Sequence, residues 1–254
     1  MPSKFISNDV LSELLEKATD EEKLSLTKIL SKYQKKPYSA KKIQEELSRE
    51  GGNSFMNLYR GEGTGYIDIV DDVLDKLEIE GFPSYLLEVR HCDEIDALEY
   101  NRDAALQKGI EYVEKAEEQI ILKLLEQAYE KMSDKEKASF DEQMNKVATM
   151  FDSNSAKNLS GIAGLIVLGN LGGFATYTFL TTAMSTITMG TLGFGAYTAA
   201  TSLLSLILGP VGWAGLGAFA IYTIGREDYQ KLIPCVATIG AIRQRVKYEN
   251  ERIN

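Results

Sequence analysis

His91-Cys92-Asp93-Glu94 is the stretch where this sequence sets several metal-ligand types side by side. His91 is the only histidine. A spacing of three would put His91 and Glu94 on one helix face. Zinc asks for roughly four ligands, and no second His or Cys cluster supplies the rest. Adjacent His91 and Cys92 diverge on a helix, which also removes them as a Cys-His nucleophilic pair. The bland reading, a solvated polar face, is preferred. No metal, no cofactor and no catalytic residue is expected, and the chain is read as no enzyme.

Gly61-Glu-Gly-Thr-Gly65 precedes a helix and would offer backbone amides to an anion. It lacks the Lys-Ser/Thr of a phosphate-binding loop, and no strand leads into it. A helix-connecting turn is the plainer meaning. Asp68, Asp71, Asp72 and Asp75 line one side of the following segment. They suit a divalent cation or a basic partner, but a charged outer face is the commoner outcome. Arg60, Gly61, Gly63, Gly65 and Tyr66 are the candidates for contact with a protein partner, in a groove beside the 61–77 segment. Arg243, Arg245, Lys247 and Arg252 form a basic patch near the C-terminus. Its expected contacts are lipid headgroups or the acidic part of the chain.

The elements that must position these groups read as helices throughout. Asn8 or Asp9 is placed to cap a first helix with Val10, Leu11, Leu14 and Leu15 on one face. Thr19 and Glu22 form a capping box, and the helix behind it should bury Leu24, Ile29, Leu30 and Tyr33 before Pro37. Ser39 opens a third helix with Ile43 and Leu47 one turn apart, and Gly51-Gly52 ends it. From Tyr66 to Leu77, apolar residues at 66, 69, 70, 73, 74 and 77 give helical spacing. Residues 84–132 are the longest helical stretch, with a stripe through Leu106, Ile110, Val113, Ile120, Ile121 and Leu124 and an interruption near Asn101. Ser133 and Glu136 form a second capping box, and Ser153-Asn-Ser155 marks a boundary.

Charge is spread unevenly over the 254 residues, whose net is −9. Residues 1–157 hold 22 basic and 33 acidic side chains, residues 158–225 hold none, and residues 226–254 hold 6 and 4. An acidic body argues against nucleic acid, whose binding runs on phosphate neutralisation. Two cysteines, Cys92 and Cys235, are too few for a disulfide framework. The N-terminal residues lack the pattern of a signal peptide, so synthesis in the cytoplasm is expected.

The uncharged block falls into three pieces: Leu159 to Leu180, Thr186 to Leu208 and Val211 to Ile224. A helix needs roughly 20 apolar residues to cross hydrocarbon, so the first two suffice and the third is short. Small residues recur through it, among them Gly161, Gly164, Gly169, Gly173, Gly190, Gly193 and Gly195, and Gly209-Pro210 leads to Trp213. Four-residue spacing of small side chains lets helix backbones approach closely in lipid. These are the residues expected to insert into a membrane or to pack helix on helix.

Two stretches carry a family resemblance. Gly51-Gly-Asn-Ser-Phe-Met-Asn-Leu-Tyr-Arg-Gly61, running into Gly65-Tyr-Ile-Asp-Ile-Val-Asp-Asp-Val-Leu-Asp-Lys-Leu77, is one. Leu208-Gly-Pro-Val-Gly-Trp213 with Tyr229-Gln-Lys-Leu-Ile-Pro-Cys-Val-Ala237 and Ile242-Arg243 is the other. Together they resemble the bacterial YaaW-like proteins, which are grouped loosely with ubiquinol–cytochrome c chaperones. The resemblance implies an intracellular, helical bacterial protein and brings no activity or catalytic residues. Before its last Ile-Pro the family pattern runs Ala-Tyr-Arg-Val-Thr, where this chain has Asp228-Tyr-Gln-Lys-Leu232. No shared basic contact is carried over there.

The expectation is an all-α protein, with amphipathic helices around or beside a glycine-rich apolar helical hairpin. Its parts are an acidic helical body (1–152), the apolar hairpin region (158–225) and a C-terminal helix (226–254). Two functions fit. In the first, the protein is membrane-active and inserts or docks the hairpin, as a pore or membrane-perturbing element in defence or bacterial competition. Its partner is then a lipid bilayer, met peripherally or conditionally at the inner membrane. In the second, it is a soluble cytoplasmic interaction protein or assembly chaperone, and the hairpin is buried core. A protein partner and self-association into a homo-oligomer are both compatible with the sequence; nucleic acid is not.

Overall fold

The Thr19 and Glu22 side chains close the start of a helix on each other. Glu22 N–H donates to the Thr19 hydroxyl at 3.2 Å, and Thr19 N–H donates to the Glu22 carboxylate at 2.8 Å. Such a box satisfies two amides that the first turn otherwise leaves open. The helix it starts is α2, Asp20–Leu30, and before it runs α1, Ser3–Lys17. The other described helices are α3, Ala40–Gly52; α4, Tyr66–Lys76; α5, Arg102–Glu130; and α6, Glu227–Ile253. The computed structural model describes residues 3–31, 33–52, 64–82, 102–130, 133–135, 137–138, 141–142 and 227–253. Within them the protein is all-α, with no strand. The uncharged block, its expected hairpin, the boundary at 153–155 and His91–Glu94 lie outside the described residues.

α1 begins at Ser3, ahead of the expected cap at Asn8 or Asp9. Residues 3–8 contain no glycine or proline to stop the helix from running further back. α2 ends at Leu30, where Ser31 turns extended and its N–H closes on the Thr27 carbonyl at 2.7 Å. Tyr33 therefore lies beyond the helix and is 94% exposed, against the expectation that it would be buried. α3 starts as expected, with Lys42 N–H donating to the Ser39 hydroxyl at 3.2 Å.

One core joins all six helices. Leu11 and Leu15 of α1, Leu26 of α2, Ile43 and Leu47 of α3, and Ile69, Val70 and Val73 of α4 meet there. α5 adds Val113, Ile120 and Ile121, and α6 adds Ile233, Val236, Ile239 and Ile242. α6 is buried from Leu232 through Gln244 without a break. A helix that is apolar all round belongs in an interior, and α6 is packed by each of the other five. Pro234 lies inside it and removes one backbone donor. The carbonyl left without that donor belongs to Gln230, an exposed residue near the helix start. Gly240 sets the spacing to α5: a Cβ there would lie 2.9 Å from the Glu117 Cβ and 3.1 Å from Ile121 Cδ1.

Candidate functional site

Gly65 and Tyr66 are the sequence-predicted site residues that the structure describes. Gly65 caps α4 from an extended conformation, without a side chain to do so. Tyr66, the first residue of α4, points into the core and is 2% exposed. Its hydroxyl donates to Glu117 Oε1 at 2.7 Å. Arg243 of α6 reaches the same carboxylate with Nε at 2.7 Å from Oε2 and Nη2 at 3.0 Å from Oε1. Its Nη1 turns to the Val10 carbonyl of α1 at 3.5 Å. Four helices thus meet on one buried ionic group.

Three hydrogen bonds from Tyr66 and Arg243 fall on the Glu117 carboxylate, two on Oε1 and one on Oε2. Burial pushes the Tyr66 phenol well above its ordinary value, and the Glu117 charge pushes the same way. Burial opposes the Arg243 charge, but Glu117 outweighs it and holds the guanidinium above its ordinary value. The Tyr66 phenol is thereby held protonated and the Arg243 guanidinium charged at neutral pH. The arrangement ties α1, α4, α5 and α6 together in the core.

Further ion pairs continue along α6. Arg245 grips Glu22 of α2 with Nε at 2.7 Å and Nη2 at 2.8 Å, and adds Glu249 at 2.6 Å. Glu22 therefore serves the capping box and the closing helix at once. Lys231 meets Glu50 of α3 at 2.8 Å, and Lys247 meets Glu114 of α5. Of the two partners expected for the C-terminal basic patch, Arg243, Arg245 and Lys247 take the acidic body. Burial raises the Cys235 thiol, helped by Glu50 and opposed by Lys231, so it stays protonated.

A cleft of about 350 Å³ lies between α1, α5 and α6. Val10, Leu14, Leu106, Ile110 and Val246 give it an apolar wall, and Arg243 lines it from the core side. Glu13, Lys17, Glu114 and Lys247 are charged members of the lining. Glu13 pairs with Lys17 at 2.6 Å, and Glu114 with Lys247, so these four charges offset one another in pairs.

Asp71 of the acidic α4 face accepts from the Tyr112 hydroxyl, which ties that face to α5. Among the described residues no three His, Cys, Asp or Glu side chains gather as a metal-ligand set. Arg60, Gly61 and Gly63 lie outside the described residues. So do Gly161, Gly164, Gly169, Gly173, Gly190, Gly193, Gly195, Gly209, Pro210 and Trp213. Sequence reasoning missed Glu117. Its signal is a carboxylate standing within an apolar stripe, between Val113 and Ile120.

A protein of Helicobacter pylori strain J99 is 27% identical over 263 residues, covering 96% of this chain and 90% of its own. The chain is similar to bacterial UPF0174 proteins. A second UPF0174 protein of that strain is 27% identical over 223 residues, covering 82% of this chain and 90% of its own. One from strain 26695 is 27% identical over 214 residues, with 82% and 88% covered. The UPF0174 relatives form an uncharacterised bacterial family, and their shared name carries no activity. No family model matches the chain. No solved structure matches it.

Proposed function

We propose that this protein is membrane-active and works by docking or inserting its uncharged block, residues 158–225, while its helical body stays outside the hydrocarbon. The observation that carries the reading is the position of α6. The chain leaves the body before the block and returns after it, through a helix at the centre of the same core. A segment held at both ends by one folded body crosses a bilayer an even number of times. Two crossings match the two pieces long enough to span, Leu159 to Leu180 and Thr186 to Leu208. A pore or membrane-perturbing role in defence or competition is the form this reading takes, and the finer YaaW-like placement goes with it.

Among the described residues no helix is long and apolar enough to cross a membrane. The test is flotation of the full chain with liposomes, together with dye leakage, at pH 7 and pH 5. Association and leakage at either pH support the reading. Absence of lipid association at both ends it.

A second reading is a soluble interaction protein or assembly chaperone with the block as core. The cleft between α1, α5 and α6 favours it, because its apolar wall suits a segment of a partner. Monodisperse behaviour without detergent, with a partner recovered by pull-down, is the outcome that selects it.

A further inference from the structure

Residues 23–44 hold seven lysines and no carboxylate, in a chain where acidic side chains outnumber basic ones 37 to 28. The stretch runs from α2 through the α2–α3 turn into the first turn of α3. Lys35, Lys36 and Lys41 are exposed and Lys28 is half-buried. None of these four has a carboxylate within ion-pair distance among the described residues, whereas Lys42 pairs with Glu46 at 2.9 Å. The cations Lys231, Arg243, Arg245 and Lys247 of α6 are all paired with carboxylates.

Two features of the turn run against stability. The first turn of α3 contains no acidic residue and carries Lys41 and Lys42, at the end of the helix dipole that prefers negative charge. Tyr33 holds a large aromatic ring almost wholly in water. The turn itself is well fastened. Gln34 N–H donates to the Ser31 carbonyl at 3.2 Å, and Tyr38 N–H donates to the Thr27 hydroxyl at 2.8 Å. The Thr27 hydroxyl donates in turn to the Lys23 carbonyl at 2.6 Å. The fold therefore presents these side chains without using them.

Their chemistry fits the headgroup layer of an anionic bilayer. Tyrosine settles where its ring meets acyl chain and its hydroxyl meets water. Lysine near such a surface gains attraction from anionic lipid. The site is a turn between two helices that carries lysines and no arginine. Among its described residues no two aromatic rings stack, as they do in platforms for single-stranded nucleic acid. We propose that the α2–α3 turn is the tip by which this protein docks on an anionic lipid surface, with Tyr33 at the interface and Lys28, Lys35, Lys36 and Lys41 toward the phosphates. This rests on the reading that the protein works at a bilayer, and adds where it lands and on which lipid.

The test is flotation of the full chain at pH 7 with vesicles of phosphatidylcholine alone or with phosphatidylserine added. The variants are Tyr33→Ser and a quadruple Lys28→Gln, Lys35→Gln, Lys36→Gln and Lys41→Gln. Their thermal unfolding is compared with that of the native chain, and binding to a single-stranded oligonucleotide is measured alongside. Each lysine should contribute about five-fold in partitioning onto phosphatidylserine vesicles, so the quadruple variant should lose more than roughly a hundredfold. Tyr33→Ser should lose several-fold, and salt should weaken what remains. Native-level binding by the quadruple variant overturns the tip and leaves the bilayer reading standing. Equal binding of the native chain to both vesicle types overturns the lipid class. No binding of the native chain to either removes both. Loss of oligonucleotide binding with vesicle binding unchanged assigns the turn to another polyanion and overturns the proposal.

Discussion

Arg243 and Glu117 meet in the interior through two side-by-side hydrogen bonds, although 126 residues separate them in the chain. Their side chains are 8% and 2% exposed. Paired, the two charges are tolerated; singly, either is a buried ion without a counter-charge. Arg243→Met should therefore cost about 3–5 kcal/mol. Combining it with Glu117→Leu and Tyr66→Phe should restore much of that, because an apolar set of similar volume leaves no charge behind. Urea unfolding of the single and triple variants checks this. A single variant as stable as the native chain would contradict the burial argument.

Glu22 has two jobs, and they separate by substitution. Thr19→Ala removes the hydroxyl half of the capping box and should cost about 1 kcal/mol. Glu22→Ala removes the other half and also takes from Arg245 its two-point contact with Glu22, leaving Glu249 and the Lys17 carbonyl, so it should cost more. Equal losses in thermal melts would mean that the Arg245 contact contributes nothing.

Gly240→Ala sets two effects against each other. Alanine in a helix gains about 1 kcal/mol over glycine. The new methyl, however, meets the Glu117 Cβ, which Arg243 and Tyr66 hold in place. Overpacking of that kind costs about 1–3 kcal/mol, so net destabilisation is expected in chemical denaturation. A stabilised variant would show that α5 and α6 separate easily.

Glu118 titrates in the opposite sense to a salt-bridged acid. Burial raises its pKa, Glu114 raises it further and Lys247 opposes. A carboxyl raised on folding binds its proton more tightly in the native state. Its contribution is present at low pH and is lost as pH climbs from the ordinary carboxylate range through the raised value. Glu118→Gln should then be more stable than the native chain at pH 7 and equal to it in acid. Denaturation curves at the two pH values decide it; equal stability at pH 7 would refute the shift.

Local signals were readable and distant partnerships were not. The Thr19–Glu22 box and the Tyr66 to Leu77 stripe depend on neighbours three and four residues apart, and both appear as expected. The Glu117–Arg243 pair joins two helices far apart in sequence, and no spacing rule links them. Each residue did leave a trace, a charge standing in an apolar run. The basic turn was legible by counting, but averaging over the acidic residues 1–157 concealed it. Tyr33 was misread because the apolar periodicity was carried three residues past the end of α2.

The last of the described helices is also the innermost of them, and that orders the protein's birth. A ribosome makes residues 158–225 before the strip of sequence from Leu232 to Gln244 that fills the centre. The nascent body must wait, its middle vacant, while the most apolar part of the polypeptide is being made. Closure of the centre thus comes only after that part has been made.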